Sequence, residues 1–123
     1  MIFNDNKAIY LQIAEHICDD ILNGTYPPDE RIPSVREYAA MVEVNANTVM
    51  RSYDYLQSNG ILYNKRGIGY FVDPKGLTRT KKLRKDTFIK GEADYFFKQF
   101  YSLGISPEEL AAMYHQYIQN QQS

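Results

Sequence analysis

Residues 33–60 read PSVREYAAMVEVNANTVMRSYDYLQSNG, and this stretch decides the fold. Ser34 followed three residues later by Glu37 is a capping box, which predicts a helix from there to about Val42. Glu43 and Val44 form the turn. Asn45 caps a second helix with its amide oxygen, and Asn59-Gly60 ends it, with glycine supplying the left-handed residue of a C-cap. Val35, Tyr38, Ala39 and Val42 in the first helix, and Val49, Tyr53 and Leu56 in the second, recur at three- and four-residue steps, so these faces pack together. Asn45, Ala46, Asn47, Met50 and Arg51 are left on or beside the exposed start of the second helix. That is where a helix-turn-helix presents side chains to the DNA major groove.

Outward from this pair, Ile61-Leu62-Tyr63 and Ile68–Val72 are β-branched and aromatic runs separated by Asn64-Lys65-Arg66-Gly67, which predicts a β-hairpin with a basic tip. A helix-turn-helix followed at once by a hairpin is a winged helix. Upstream, Tyr10, Ile13, Ala14, Ile17, Ile21 and Leu22 make the stripe of a core helix that starts near Lys7 or Ala8 and ends at Asn23-Gly24. Tyr26-Pro27-Pro28 then forces extended chain, and Arg31-Ile32 is placed to add a short edge strand beside the wing.

Taken together, IYLQIAEHICDDILNGTYPPDERIPSVREYA (9–39) and VNANTVMRSYDYLQSNGILYNKRGIGYFV (44–72) resemble the winged-helix domain of the GntR family of bacterial transcription regulators. IPSVRE, NTVMRSY and RGIGYFV carry the resemblance jointly, more specifically than any of them alone. It implies a sequence-specific regulator with double-stranded operator DNA as its partner. By position it implies phosphate or groove-edge contacts from Ser34 and Arg36, polar contacts from Asn45 and Asn47, a phosphate-contacting hydroxyl at Thr48, and backbone or base contact from Arg51. Physical alternatives stand beside these: Asn45 acting as a helix cap only, and Arg36 as a strut to an acid. At positions 46 and 50, where some relatives carry guanine-reading arginines, this chain has Ala46 and Met50, so bidentate guanine readout there is impossible and thymine methyls are the compatible partners. The wing tip is Lys65, Arg66 and Gly67, where the missing side chain of glycine lets the backbone approach a minor groove.

Asp73-Pro74-Lys75-Gly76 reads as a boundary between a winged domain, residues 1–75, and a helical appendage, residues 76–123. A single helix is expected from about Thr78 to Leu103, stopped by Gly104. A last helix opens at the second capping box, Ser106-Pro107-Glu108-Glu109. The fold class is therefore mainly α with a small β-hairpin: a winged helix-turn-helix followed by a two-helix hairpin. Phe96, Phe97, Phe100, Leu110, Met113 and Tyr117 give that hairpin an apolar face too large for two helices to bury alone, which points to a second copy and a two-fold dimer. The alternative is a hairpin folded back on its own winged domain. A short helical tail is also similar in layout to the YtrA-like subfamily of GntR regulators, which implies a homodimeric regulator, often a repressor, of operons that include ABC-type transporters. Most basic runs like Arg79–Lys85 are solvated helix faces, and a minority touch phosphates.

Bulk charge does not argue for nucleic acid. The formal net charge is −1, with seven Lys or Arg against ten Asp or Glu in residues 1–75, so DNA binding must rest on where Arg31, Arg36, Arg51, Lys65 and Arg66 point. Cys18 is the only cysteine, which excludes an intrachain disulfide, and it reads as a half-buried helix residue rather than a redox sensor. With no apolar leader or long apolar segment, a cytoplasmic protein without membrane contact is expected. No Ser/His/Asp, Cys/His or paired-carboxylate pattern calls for an enzyme, and none calls for a metal or cofactor. A winged helix used only for protein–protein assembly is the competing reading, and any effector ligand is left open.

Overall fold

The computed structural model describes Phe3 and residues 7–122. The elements run α1 (Ile9–Leu22), α2 (Val35–Val42), α3 (Ala46–Ser58), β1 (Leu62–Lys65), β2 (Gly69–Val72), α4 (Gly76–Gly91), α5 (Ala93–Ser102) and α6 (Pro107–Gln122). The chain divides into two compact units, one ending at Arg84 and the other beginning at Lys85.

In the first unit α3 is the centre. It packs against both α1 and α2, and its Val49, Tyr53 and Leu56 are wholly buried. Removing each such side chain from water stabilises the fold by about 1.5–3 kcal/mol. Ile13, Ala14, Ile17, Cys18 and Ile21 of α1 meet them, as helical spacing requires. The stripe differs from expectation at its end: Leu22 is exposed, while Cys18 is 1 % exposed rather than half-buried. Burial pushes the Cys18 thiol up to about 11, against the lowering influence of Arg84, so no reactive thiolate forms at neutral pH.

The capping box of α2 forms in full: the Ser34 hydroxyl accepts from the Glu37 N–H (3.1 Å), and the Ser34 N–H donates to the Glu37 carboxylate (2.9 Å). The helix ends at Glu43, held at φ 57° in the left-handed region, where the Val44 N–H returns to the Ala39 carbonyl at 3.1 Å. Both strands of the hairpin are shorter or shifted relative to expectation. Their register pairs Lys65 with Gly69 and Leu62 with Val72, so Asn64 and Lys65 lie within β1 and Ile68 lies in the turn. The Ile68 N–H closes that turn on the Lys65 carbonyl at 2.9 Å, over Gly67 at φ 79°. Arg31 forms an isolated bridge to Phe71, and the Asp29 and Ile32 N–H groups donate to Val72 and Tyr70, so the far edge of β2 is covered as anticipated.

Within the basic run after the wing, Lys81, Lys82 and Lys85 are exposed, whereas the two arginines are tied to the winged unit. The Arg79 guanidinium donates to the Gly60 carbonyl (2.8 Å) and lies 3.3 Å from Asp73, while Arg84 donates to Asp19 (2.7 Å) and to the Glu15 carbonyl (3.1 Å). With Leu77 and Leu83 also packed on the core, the opening turns of α4 belong with the winged unit, past the expected boundary at Lys75. The expected helix from Thr78 to Leu103 is in fact two. Glu92, directly after Gly91, interrupts it, although its N–H still bonds to the Phe88 carbonyl, so the two helices abut with no loop between them. At Gly104, φ 71°, the Ile105 N–H reaches back to the Phe100 carbonyl and terminates α5, and the Ser106 hydroxyl caps α6 by accepting from Glu109.

Gly76 is buried where α4 leaves the wing. In an open helix, Gly→Ala stabilises by about 0.5–1 kcal/mol. Here the added Cβ would lie 2.7 Å from Val72 Cγ1 and 3.0 Å from the Ile61 carbonyl oxygen, both of them buried in the core. Gly76→Ala is therefore expected to destabilise by about 1–3 kcal/mol, read as a lower urea midpoint at unchanged slope.

Candidate nucleic-acid interface

The start of α3 is set by Asn45, whose side-chain oxygen accepts from the Asn47 N–H at 2.7 Å. This uses the amide oxygen of Asn45 in the cap its position suggested, on a side chain that is exposed. Ala46 and Asn47 follow, both exposed, and Met50 stands one turn further on at 40 % exposure. Thr48 is half-buried, and its carbonyl accepts from the Ser52 hydroxyl at 3.2 Å. Arg51 is exposed, with its guanidinium carbon 3.9 Å above the centre of the Tyr10 ring.

Ser34 and Arg36 stand at the opening of α2, Ser34 half-buried as the cap and Arg36 exposed. The Glu37 carboxyl is held below the usual range, chiefly by the Ser34 N–H that donates to it, so it stays charged at the positive end of its helix. The wing's base is tied to the same region: Tyr70 of β2 stacks edge-on against Tyr53 at 4.9 Å, and its hydroxyl donates to the Met50 sulfur at 3.7 Å. At the tip, Lys65 lies 4.8 Å over the Phe71 ring, which itself stacks on Tyr63, and Arg66 and Gly67 are exposed. Arg31 takes a supporting place instead, 3.7 Å from Glu37 and laid across Gly69 where a Cβ would meet it at 2.8 Å.

Two groups escaped the sequence reading. Helical spacing places Tyr10 in the core stripe, yet it is half-buried and sits under Arg51. A tyrosine at the second position of a helix, where the stripe is just beginning, was the available signal. Arg79 and Arg84 were read only as part of a charge run, because their partners Gly60 and Asp19 are distant in sequence.

In the second unit Phe96, Phe97, Phe100 and Tyr117 line one apolar groove together with Phe88 and Ala93. Phe97 is 58 % and Tyr117 62 % exposed, with Met113 exposed and Leu110 half-buried on α6. Among the described residues, no helix is long and apolar enough to cross a membrane.

A model of the family "Bacterial regulatory proteins, gntR family" matches residues 9–72. The HTH-type transcriptional repressor YtrA of Bacillus subtilis (strain 168) is 32 % identical over 105 residues, spanning 85 % of this chain and 80 % of that one. A crystal structure of a GntR-family protein from Bacteroides thetaiotaomicron superposes with a TM-score of 0.76 at 58 % identity, covering 93 % of this chain and 99 % of the other. The DNA-binding domain of AraR in complex with its operator ORR3 superposes with a TM-score of 0.50 at 35 % identity, over 51 % of this chain and 76 % of that one.

Proposed function

Because the chain belongs to the GntR family of bacterial transcription regulators, we propose that it acts as a homodimeric repressor whose α3 enters the major groove of a palindromic operator. The observation that carries this reading is the exposed start of α3, where Ala46, Asn47, Met50 and Arg51 stand free of the core. Arg36 at the start of α2 and Lys65, Arg66 and Gly67 at the wing tip flank it, and Ser34 and Thr48 lie close to where a backbone phosphate would pass. AraR, a relative of the winged domain, is described in complex with operator DNA, which supports DNA as the partner. Asn45 serves as the cap that orders the helix.

Ala46 and Met50 make the centre of this surface small and apolar. It fits thymine methyl groups and excludes the bidentate arginine–guanine pairs available to relatives with arginine there. The DNA-binding role falls to the unit ending at Arg84. Phe96, Phe97, Phe100, Leu110, Met113 and Tyr117 supply the two-fold contact, since large exposed aromatics on consecutive helices are stable in water only when covered. One winged unit reads a few base pairs, whereas two held by a dyad read inverted half-sites roughly 34–36 Å apart. The resemblance of the short helical tail to the YtrA-like subfamily makes operons that include ABC-type transporters the first place to look for the regulated genes.

Mobility shift on the intergenic DNA upstream of the chain's own gene, with a salt series, tests the reading. A specific, salt-sensitive shift supports it, and its absence would favour a winged helix used for protein assembly. Arg36→Ala and Arg51→Ala are each expected to weaken binding more than about tenfold with near-normal folding, because a charge-assisted contact contributes about 1.5–3 kcal/mol. Parent-like binding by both variants would remove the reading surface. Joint Lys65→Ala and Arg66→Ala should weaken binding to all sequences alike and lower the salt slope by roughly one per lost phosphate contact. For the dyad, the parent should sediment as a dimer and Phe97→Glu or Met113→Glu as a monomer with reduced preference for full over half sites. A monomeric parent would sink it.

A further inference from the structure

Arg31, Arg79 and Arg84 each meet a carboxylate, but none of the ion pairs among the described residues uses Arg51. Its recorded partner is an aromatic face: the guanidinium carbon lies 3.9 Å from the centre of the Tyr10 ring. The distinction matters for what Arg51 can still do. An ion pair consumes the in-plane N–H donors of a guanidinium, whereas stacking uses only its face and leaves the planar fork free to receive a phosphate.

Tyr10 is itself held in place by α3. Its carbonyl accepts from the Ser52 hydroxyl at 2.7 Å, with Ser52 wholly buried, and its ring meets Tyr55 edge-on at 6.2 Å and 77°. Arg51 and Tyr10, with Asn47, Thr48, Ile9 and Ala8, line one open cleft between the start of α1 and the start of α3. Arg51 thus stands at the flank of α3 that borders α1. A side chain on the flank of a helix lying in the major groove is aimed at the groove's wall, which is sugar and phosphate, rather than at its floor.

We propose that Tyr10 is a positioning residue for DNA binding: its ring carries the Arg51 guanidinium and fixes it at the mouth of the α1–α3 cleft, where it meets a backbone phosphate. This rests on the reading of α3 as the DNA-contacting helix, and it brings α1 into the interface. Without the ring, Arg51 is an exposed, freely rotating side chain that must be ordered as DNA binds; with it, that ordering is already done.

The test is fluorescence anisotropy of the full-length chain on a labelled duplex of its upstream intergenic DNA, alongside a random-sequence duplex at low salt, since a phosphate contact registers on any sequence. Tyr10→Leu should weaken binding about two- to fivefold, the size of an exposed cation–π contact. Tyr10→Phe, which keeps the ring, should bind like the parent. In an Arg51→Ala background, Tyr10→Leu should change nothing further. Should Tyr10→Leu lower the melting temperature, Tyr10→Phe with its ring fully fluorinated reverses the charge of the ring face at nearly constant shape and should weaken binding to a similar extent. Loss in Tyr10→Phe would assign a direct contact to the hydroxyl and overturn the proposal. So would an equal loss from Tyr10→Leu with and without Arg51, or no loss at all. If Arg51→Ala alone binds like the parent while Arg36→Ala does not, this proposal is overturned and the reading of the α3 surface stands; parent-like binding by both arginine variants removes that reading as well.

Discussion

Tyr53 is the side chain on which the winged unit depends. It is wholly buried in the middle of α3, with its hydroxyl donating to the Pro33 carbonyl at 2.6 Å and its ring set edge-on against Tyr38 of α2 and Tyr70 of β2. A single phenol thereby joins α3, the segment leading into α2, α2 itself and the wing. Burial pushes its hydroxyl far above the ordinary tyrosine value, so it remains a neutral donor, and the Pro33 carbonyl supplies the partner that an uncharged buried hydroxyl requires. Proline has no N–H, so its carbonyl is the only backbone hydrogen-bonding group that residue 33 itself offers.

What could be read in advance was local. The capping box at Ser34 and Glu37, the Asn45 cap and the apolar steps of α2 and α3 are decided by residues within a turn or two of one another, and they fold as their spacing dictates. The winged helix and its family likeness follow from the same stretch. The departures arise where the deciding partner is remote. Lys65 looks like turn sequence until its pairing with Gly69 places it in β1. The run from Arg79 to Arg84 looks like a solvated face until Gly60, Asp73 and Asp19 come alongside. The interruption at Glu92 has a different origin: the preceding Gly91 is tolerated within a helical pattern, and periodicity alone does not say which glycine a helix will end at.

The candidate interface shows the same division. Which side chains of α3 face outward follows from helical geometry, so Ala46, Asn47, Met50 and Arg51 could be named from spacing. How those side chains are held could not. Met50 receives the Tyr70 hydroxyl and Arg51 rests on Tyr10, and each partner lies some twenty or forty residues away in sequence. With a formal net charge of −1 the chain carries no overall positive field, so the candidate interface depends on where individual arginines and lysines stand rather than on charge spread over the molecule.

The anchoring of α4 bears on how such regulators can be recombined. Gly60, left-handed at φ 71°, leaves room for Arg79 to close over the end of α3, and Arg84 clamps α4 to Glu15 and Asp19 of α1. The wing, α3 and the opening turns of α4 are therefore one exchangeable part. A chimera spliced at Pro74, where the residue chemistry suggests a natural seam, would carry a foreign helix onto a socket shaped for Gly76, Arg79 and Arg84. A splice near Gly91, where α4 already ends, hands over the tail while leaving that socket filled by its own side chains.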